Sequence, residues 1–315
     1  MSHILPISVV IPTINRSATL KRTIDCLMTK EYIPSQVIVV DQSQNDRDRN
    51  LNMACMHGYK GLVEINYIYQ ETPSLTKARN KGFIYCRNDI IICSDDDVDV
   101  NEETLKNVYN IMQNENIAMI GAIDENSGSS KTDLGYLFIT KSYKKRHIGH
   151  VTLSVLGRYP DNIKGKIETQ WAMGYFFIIR KSLADKWNVR WDENLTSYAY
   201  AEDLDYSFTY YKKASEQNMR CILSDKVKVK HLVSTEYRVP SVKNTYMYVI
   251  NREYLSYKHK MGVKSHLATR WTNFGRFLVR VLKREKPMDV LKAQWRCDRY
   301  RKLIKSGIIP EWLYI

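Results

Sequence analysis

Three short runs, Ile7-Ser8-Val9-Val10-Ile11, Val37-Ile38-Val39-Val40 and Asp89-Ile90-Ile91-Ile92-Cys93, constrain the fold more than anything else in this chain. They are β-branched and nearly uninterrupted. The middle one is apolar on both faces, so it has no side to give to water and belongs inside a parallel sheet covered by helices. Between the first two, Asn15-Arg16-Ser17 offers helix-start residues, and Leu20, Ile24 and Leu27 recur at helical spacing. Ile65–Tyr69 reads as a further strand and Leu75–Tyr85 as a further helix. Repeated strand–helix–strand units predict an α/β fold, an open, mostly parallel sheet flanked by helices. In such sheets ligands bind beyond the C-terminal strand ends, and the last of these strands runs straight into Ser94-Asp95-Asp96-Asp97. The acidic turn is therefore where a ligand is expected.

Phosphate-binding glycine loops are missing: neither GxGxxG nor GxxxxGK[ST] occurs, and the first strand–helix turn, Pro12-Thr13-Ile14-Asn15-Arg16, has no glycine. Dinucleotide-binding oxidoreductases and P-loop enzymes drop out. The six cysteines are scattered without a CxxC pair, so they read as reduced, buried thiols. Three consecutive aspartates repel one another, and a turn needs only one of them. Mg²⁺ or Mn²⁺ is the natural compensation, because hard cations take carboxylate oxygens and bridge to phosphates; an acidic surface turn is the alternative. Two registers are open, Asp95-x-Asp97 and Asp97-x-Asp99, and Asp97 belongs to both.

The ordered segments SVVIPTINR, VIVVDQS, SLTKARNKGF, IIICSDDDV, GYFFIIRKSL and AEDLDYSFTY resemble the inverting glycosyltransferases of family 2, which carry a GT-A nucleotide-sugar domain. The resemblance covers residues 5–235. It implies a catalytic domain over 1–235, with a nucleotide-sugar half over about 1–120 and an acceptor half over about 121–235, followed by a basic helical segment, 236–315. It implies that Pro12, Thr13, Arg16 and Asp41 hold the base and ribose of a UDP- or dTDP-sugar, although a helix start or a strand-end cap would explain Thr13, Arg16 and Asp41 as well. Arg79 would face the nucleotide, where a guanidinium stacks on a base or pairs with phosphate. Asp95 and Asp96 would approach the donor, and Asp97 would meet the metal together with His231. Asp99 is expected to start the following helix. In the second acidic cluster, Glu202-Asp203-Leu204-Asp205, the resemblance gives Asp203 the role of base toward an acceptor hydroxyl. Glu202 and Asp205 would orient the acceptor or lie behind, with an exposed acidic helix start as the alternative for the cluster. Trp171 and Gly174 would form the acceptor side, the tryptophan by stacking on a sugar and the glycine by admitting the acceptor to the backbone. Core packing is the alternative for Trp171.

The net charge of +14 is unevenly placed: residues 236–315 hold 18 Lys and Arg against 6 Asp and Glu, leaving 30 against 28 before them. Within this segment Trp271, Phe274, Phe277, Leu278, Val281 and Leu282 share one helical face, beside Arg276, Arg280, Lys283 and Arg284. That pattern predicts an interfacial helix on an anionic membrane; packing against the catalytic domain or a second subunit is the alternative. No apolar run is long enough to span a bilayer, and the start MSHILPISVVIPT lacks the basic region and cleavage site of a signal peptide. The expected setting is the cytoplasmic face of the membrane, with a glycan or lipid-linked intermediate of surface polysaccharide as acceptor. A nucleic-acid partner is not expected, since no reader motif is present and the acidic site would repel a polyanion. A catalytically silent nucleotide-sugar-binding partner of an assembly complex is the rival reading. Loops are expected over 123–170, around Ser127-Gly128-Ser129-Ser130 and Lys141–His150.

Overall fold

A computed structural model describes residues 2–126, 138, 147–233 and 240–315; the expected loops at Ser127–Ser130 and over 141–146 lie outside them. The first half alternates as the sequence predicts: β1 (His3–Thr13), α1 (Ser17–Met28), β2 (Tyr32–Asp41), α2 (Asp46–His57), β3 (Glu64–Tyr69), α3 (Leu75–Ile84) and β4 (Ile90–Ser94). There follow β5 (Val98–Val100), α4 (Thr104–Met112), β6 (Ile117–Asp124), β7 (His150–Val151), β8 (Gly157–Arg158), β9 (Lys166–Glu168), β10 (Phe176–Arg180), α5 (Lys181–Lys186), α6 (Glu202–Glu216) and β11 (Arg220–His231). The C-terminal segment forms α7 (Ser241–Lys258), α8 (Gly262–Leu282), α9 (Met288–Arg299) and α10 (Arg301–Lys305).

The main sheet runs β3-β2-β1-β4-β10-β6-β11-β5, with β9 also on β11. Strands β1 to β4 pair in parallel, β10 lies antiparallel between β4 and β6, and β11 runs parallel to β6. This topology builds the site edge. The C-terminal ends of β1, β2, β4 and β11 and the N-terminal end of the reversed β10, where Phe176 opposes Ser94, all meet at one edge.

Alternate residues along the central strands feed two apolar layers. Val9, Ile11, Val37, Val39 and Ile92 face α1 and α4, whereas Val10, Ile38, Val40, Ile91 and Cys93 face α3 and α6. Pro12 extends β1 instead of ending it: it opposes Val40 of β2 but lies beyond the last pair with β4, Val10–Cys93, so its missing N–H breaks no bond on that side. The polar helix α2 escapes apolar periodicity because it buries only Asn52 and Met56. It is held by the Asn45 cap on the Asp48 N–H and by an acidic first turn.

A third apolar cluster joins Val290, Ala293, Cys297, Ile304, Leu313 and Tyr314 from the C-terminal helices to Trp171, Leu195 and Leu204 from the body of the chain. The basic segment is thus packed against the chain before it, not hung from it. The way α8 packs is the reverse of an ordinary amphipathic helix. It buries Ser265, Thr269, Thr272, Asn273 and Gly275, where Asn273 accepts from Arg252 and donates to Gln294, and Ser265 accepts from Ser256. Of its apolar residues, Phe277 packs on the third cluster, while Trp271 and Phe274 flank the Phe138 ring yet stay 47% and 46% exposed. Among the described residues, no helix is long and apolar enough to cross a membrane.

Candidate active site

The acidic turn between β4 and β5 is pinned from three sides. The Asp95 N–H donates to the Tyr175 carbonyl (2.9 Å), the Thr23 hydroxyl to the Asp96 carbonyl (2.7 Å), and the Leu232 N–H to the Asp97 carbonyl (2.9 Å). The last bond ties the end of β11 to the turn and brings His231 Nε2 to 3.2 Å from Asp97 Oδ1. Tyr175 stacks on the imidazole at 5.0 Å. Carboxylate oxygens of Asp95 and Asp97 and a ring nitrogen of His231 all lie within 4.8 Å of one another. Two hard oxygens and a borderline nitrogen in that space fit a divalent cation of the Mg²⁺ or Mn²⁺ class. Burial opposes charge on His231, but the neighbouring Asp97 outweighs it and holds the imidazole pKa above its usual value. Asp99 does not start α4: it lies in β5, opposite Lys230, and pairs with Arg22 at 2.6 Å. The register Asp95-x-Asp97 is the one that converges.

Beneath the turn lies Arg79, 1% exposed, on α3. Its Nη2 donates to Asp95 Oδ1 (2.8 Å) and the Gly174 carbonyl (3.0 Å), with Glu202 Oε1 at 3.4 Å. One guanidinium therefore compensates two carboxylates from opposite ends of the site. Asp203 follows in the first turn of α6; its Oδ2 accepts the Gly174 N–H (2.9 Å) and its Oδ1 the Leu204 N–H (2.8 Å). Burial raises the Asp203 pKa, and these two donors oppose the rise. Gly174 leaves room for this approach, since a Cβ there would stand 3.0 Å from Asp203 Cβ and 3.3 Å from Arg79 Nη2. The close approach serves the chain's own acid and guanidinium.

Glu202, 5% exposed, is pushed up to about 8, by burial first and by the charges of Asp203 and Asp95, with Arg79 opposing. A carboxyl whose folded pKa is raised binds its proton more tightly in the native state, so stability falls as pH rises from the ordinary carboxylate range through about 8. Glu202→Gln is therefore expected to flatten the loss of thermal stability between pH 5 and 8 measured in EDTA; an unchanged slope would exclude Glu202 as its source.

Several of the expected site residues also make contacts within the protein. Asp96 is 3% exposed, and its two oxygens take the Thr13 hydroxyl (2.6 Å) and Arg16 Nη1 (2.7 Å), so these three hold the first turn to the acidic turn. Asp41, fully buried at the end of β2, accepts from the Ser43 N–H, Asn52 Nδ2 and the Tyr67 hydroxyl, the pattern of a strand-end cap. Pro12 is buried in β1 beside it. Trp171 is 6% exposed, precedes β10, packs on Tyr159 at 4.9 Å and donates Nε1–H to the Arg158 carbonyl. Its ring is committed to packing. Asp205 lies behind the site, bound to Lys258 (2.6 Å) and His259 (2.9 Å) at the end of α7.

Sequence reasoning passed over the loop that aims Asp203. Ser197, Ala199 and Ala201 all have φ between 53° and 67°, a left-handed geometry that costs non-glycine residues energy and clusters at functional sites. The start of α3 holds this loop, through the Leu75 N–H to the Ser197 carbonyl (3.2 Å) and the Thr76 hydroxyl to the Leu195 carbonyl (3.1 Å). It exposes Tyr198, 55% accessible and within electrostatic range of Asp95, Asp203 and Glu202. Serine and alanine carry no sequence signal for such backbone.

A model of glycosyl transferase family 2 matches residues 8–187, more than half of the chain. The chain belongs to glycosyl transferase family 2. The poly(ribitol-phosphate) beta-N-acetylglucosaminyltransferase TarP of Staphylococcus aureus (strain N315) is 28% identical over 116 residues, 36% of this chain and 35% of that one. The matched stretch thus spans about a third of that relative. Residues 1–349 of TarS from S. aureus superpose with a TM-score of 0.55 at 17% identity, covering 98% of this chain and 89% of that one. A complex of the same TarS segment with UDP superposes at 0.52 and 15% identity, covering 98% and 89%. The mannosyltransferase PcManGT of Pyrobaculum calidifontis, in complex with GDP-Man and Mn²⁺, superposes at 0.53 and 10% identity, covering 99% of this chain and 85% of that one. These likenesses establish a GT-A fold for this family 2 chain.

Proposed function

We propose that this chain is an inverting, metal-dependent glycosyltransferase that moves a sugar from a UDP- or dTDP-sugar to a glycan acceptor, with residues 1–235 as the catalytic unit and 236–315 as an accessory helical segment. The observation that carries the reading is the convergence of Asp95, Asp97 and His231 on one point at the sheet edge, with Asp203 tied to the same site through Gly174 and Arg79. Family membership and the nucleotide- and Mn²⁺-bound relatives of the same fold support it.

Asp95, Asp97 and His231 would hold Mn²⁺ or Mg²⁺. When bound, the cation supplies charge neutralisation for a diphosphate leaving group. Asp203 takes the proton of the acceptor hydroxyl as the new glycosidic bond forms on the face opposite the nucleotide. Its two backbone donors favour the ionised form that a base requires, and Glu202 would orient the acceptor beside it. Thr13 and Arg16 keep the first turn in register with the acidic turn, through which the nucleotide half is shaped. The test is nucleotide release over a panel of UDP-, dTDP- and GDP-sugars with either metal, beside Asp97→Ala. Metal-dependent release from one donor, lost in the variant, supports the reading. If neither release nor a UDP-dependent thermal shift occurs, the reading fails.

The outward apolar face of α8, with its basic neighbours, supports peripheral attachment to the cytoplasmic face of an anionic membrane and an acceptor on a lipid carrier. Removing the C-terminal helices would also open the third apolar cluster, so point substitutions are the cleaner probe. Trp271→Ser with Phe274→Ser is expected to weaken sedimentation with phosphatidylglycerol vesicles by about tenfold or more, the loss of two aromatic anchors. Equal sedimentation of variant and parent would refute attachment through α8.

A further inference from the structure

A cleft of about 420 Å³ runs beside α8 and has no part in the acidic turn. Arg158, Arg276, Arg280 and Lys283 line it with the rings of Tyr200 and Tyr248, and among the described lining residues Glu285 is the one carboxylate. Glu285 stands 3.7 Å from Arg280, so the described lining residues carry four cations against one carboxylate. The cations are placed, not merely crowded. Arg276 lies over the Tyr248 ring at 4.0 Å and Arg252 over the same ring at 4.4 Å. Arg280 is oriented by Nη2 on the Thr245 hydroxyl (2.7 Å) and Nη1 on the Lys286 carbonyl (3.2 Å). Burial lowers the Arg280 pKa and the charge of Arg276 adds to that effect; burial likewise lowers Arg158. Nε of Arg276 is buried without a hydrogen-bond partner among the described residues. The buried, unpartnered Nε of Arg276 beside Arg280 favours entry of an anion, and planar guanidinium forks with aromatic support suit phosphate oxygens.

The position of the cleft says which molecule brings the anion. Tyr200 precedes Asp203 by three residues, and its ring meets Tyr248 at 5.2 Å. Arg158 adjoins Tyr159, whose hydroxyl accepts the Met173 N–H one residue before Gly174, the donor to Asp203. Through Tyr200 and Arg158 the cleft lining thus adjoins the segments that carry and position the proposed base. We propose that it is a phosphate subsite for the acceptor: the molecule whose hydroxyl reaches Asp203 carries a phosphate ester or diphosphate that is seated among Arg158, Arg276, Arg280 and Lys283. This rests on the reading of Asp203 as base and adds the chemical class of the acceptor.

The probe is sodium tripolyphosphate, titrated in EDTA so that the carboxylate site takes no metal, into the full chain and into Arg276→Gln/Lys283→Gln. The parent is expected to bind it and the double variant to bind it about tenfold or more weakly, the loss of one or two charge-assisted contacts. The source of the phosphate is read from vesicles. A preference for phosphatidic acid over phosphatidylserine of matched charge, lost in the variant, assigns a lipid headgroup; cleft-dependent tripolyphosphate binding without that preference assigns a phosphorylated soluble glycan. No binding by the parent, or equal binding by parent and variant, overturns the subsite. If the double variant does not fold, Lys283→Gln, at an exposed position, replaces it with the same criterion of weakened binding. UDP with Mn²⁺ is titrated separately. Failure of the parent to bind UDP while tripolyphosphate binds in the cleft would remove the transferase reading and leave the anion site standing; the converse would remove only the subsite.

Discussion

Asp203→Asn is expected to lower turnover about 10²- to 10⁴-fold, the range that a positioned general base contributes. The substitution keeps the side-chain shape and an oxygen that can accept the Gly174 N–H, now 2.9 Å from the carboxylate. It removes the capacity to take a proton, together with the second oxygen that now accepts the Leu204 N–H. UDP binding in the presence of Mn²⁺ should persist, and that separates loss of chemistry from loss of the site. In the parent, burial raises the Asp203 pKa, so activity should decline as pH falls through that raised value, because the base must be ionised. The measurement is nucleotide release and sugar transfer over a pH series. Turnover in the variant within a few-fold of the parent would show that another group takes the proton.

The second large effect concerns stability. Arg79→Met is expected to cost about 3–5 kcal/mol in urea unfolding near neutral pH, as when one partner of a buried ion pair is removed. The methionine fills much of the aliphatic space. It leaves Asp95 and Glu202 without the guanidinium that now stands 2.8 and 3.4 Å away. Both carboxyls would then bind protons more tightly in the folded state, so the deficit should grow as pH rises and shrink toward pH 5. A variant as stable as the parent at pH 8 would mean that the two acids draw their compensation from elsewhere. The same guanidinium joins the metal side to the base side, so the variant should also lose activity beyond what its folded fraction explains.

Much of this was legible from residues alone where local patterns are strong. The apolar runs that became β1, β2 and β4 read as buried strands, and the acidic turn after β4 was expected at the ligand edge of a parallel sheet. The pairing of His231 with Asp97 followed from family resemblance, and the geometry places the two 3.2 Å apart. Other residues were recognised as important without their partners being visible. Arg79, expected to face a nucleotide, also pairs through Nη2 with the protein's own carboxylates. Thr13 and Arg16 are spent on Asp96, and Trp171 on the core. Residue type shows that a guanidinium seeks an anion; which anion lies nearest depends on segments some 16 and 123 positions away in sequence, Asp95 and Glu202.

By itself, then, the sequence determined the layered sheet, the edge where chemistry collects and the carboxylates that crowd there, because hydrophobic periodicity and charge repulsion act over short stretches. Only the tertiary structure decided which way α8 faces. Periodicity marked Trp271 and Phe274 as one apolar stripe, but Arg252 is fully buried in α7 and needs acceptors; Asn273 on the opposite face of α8 supplies one at 2.9 Å, so the small polar face turns inward. Likewise only the assembled chain shows that Arg158, Arg276, Arg280 and Lys283, drawn from two distant segments, share one cleft. Satisfying a buried charge is a global requirement, and no local pattern announces how it will be met.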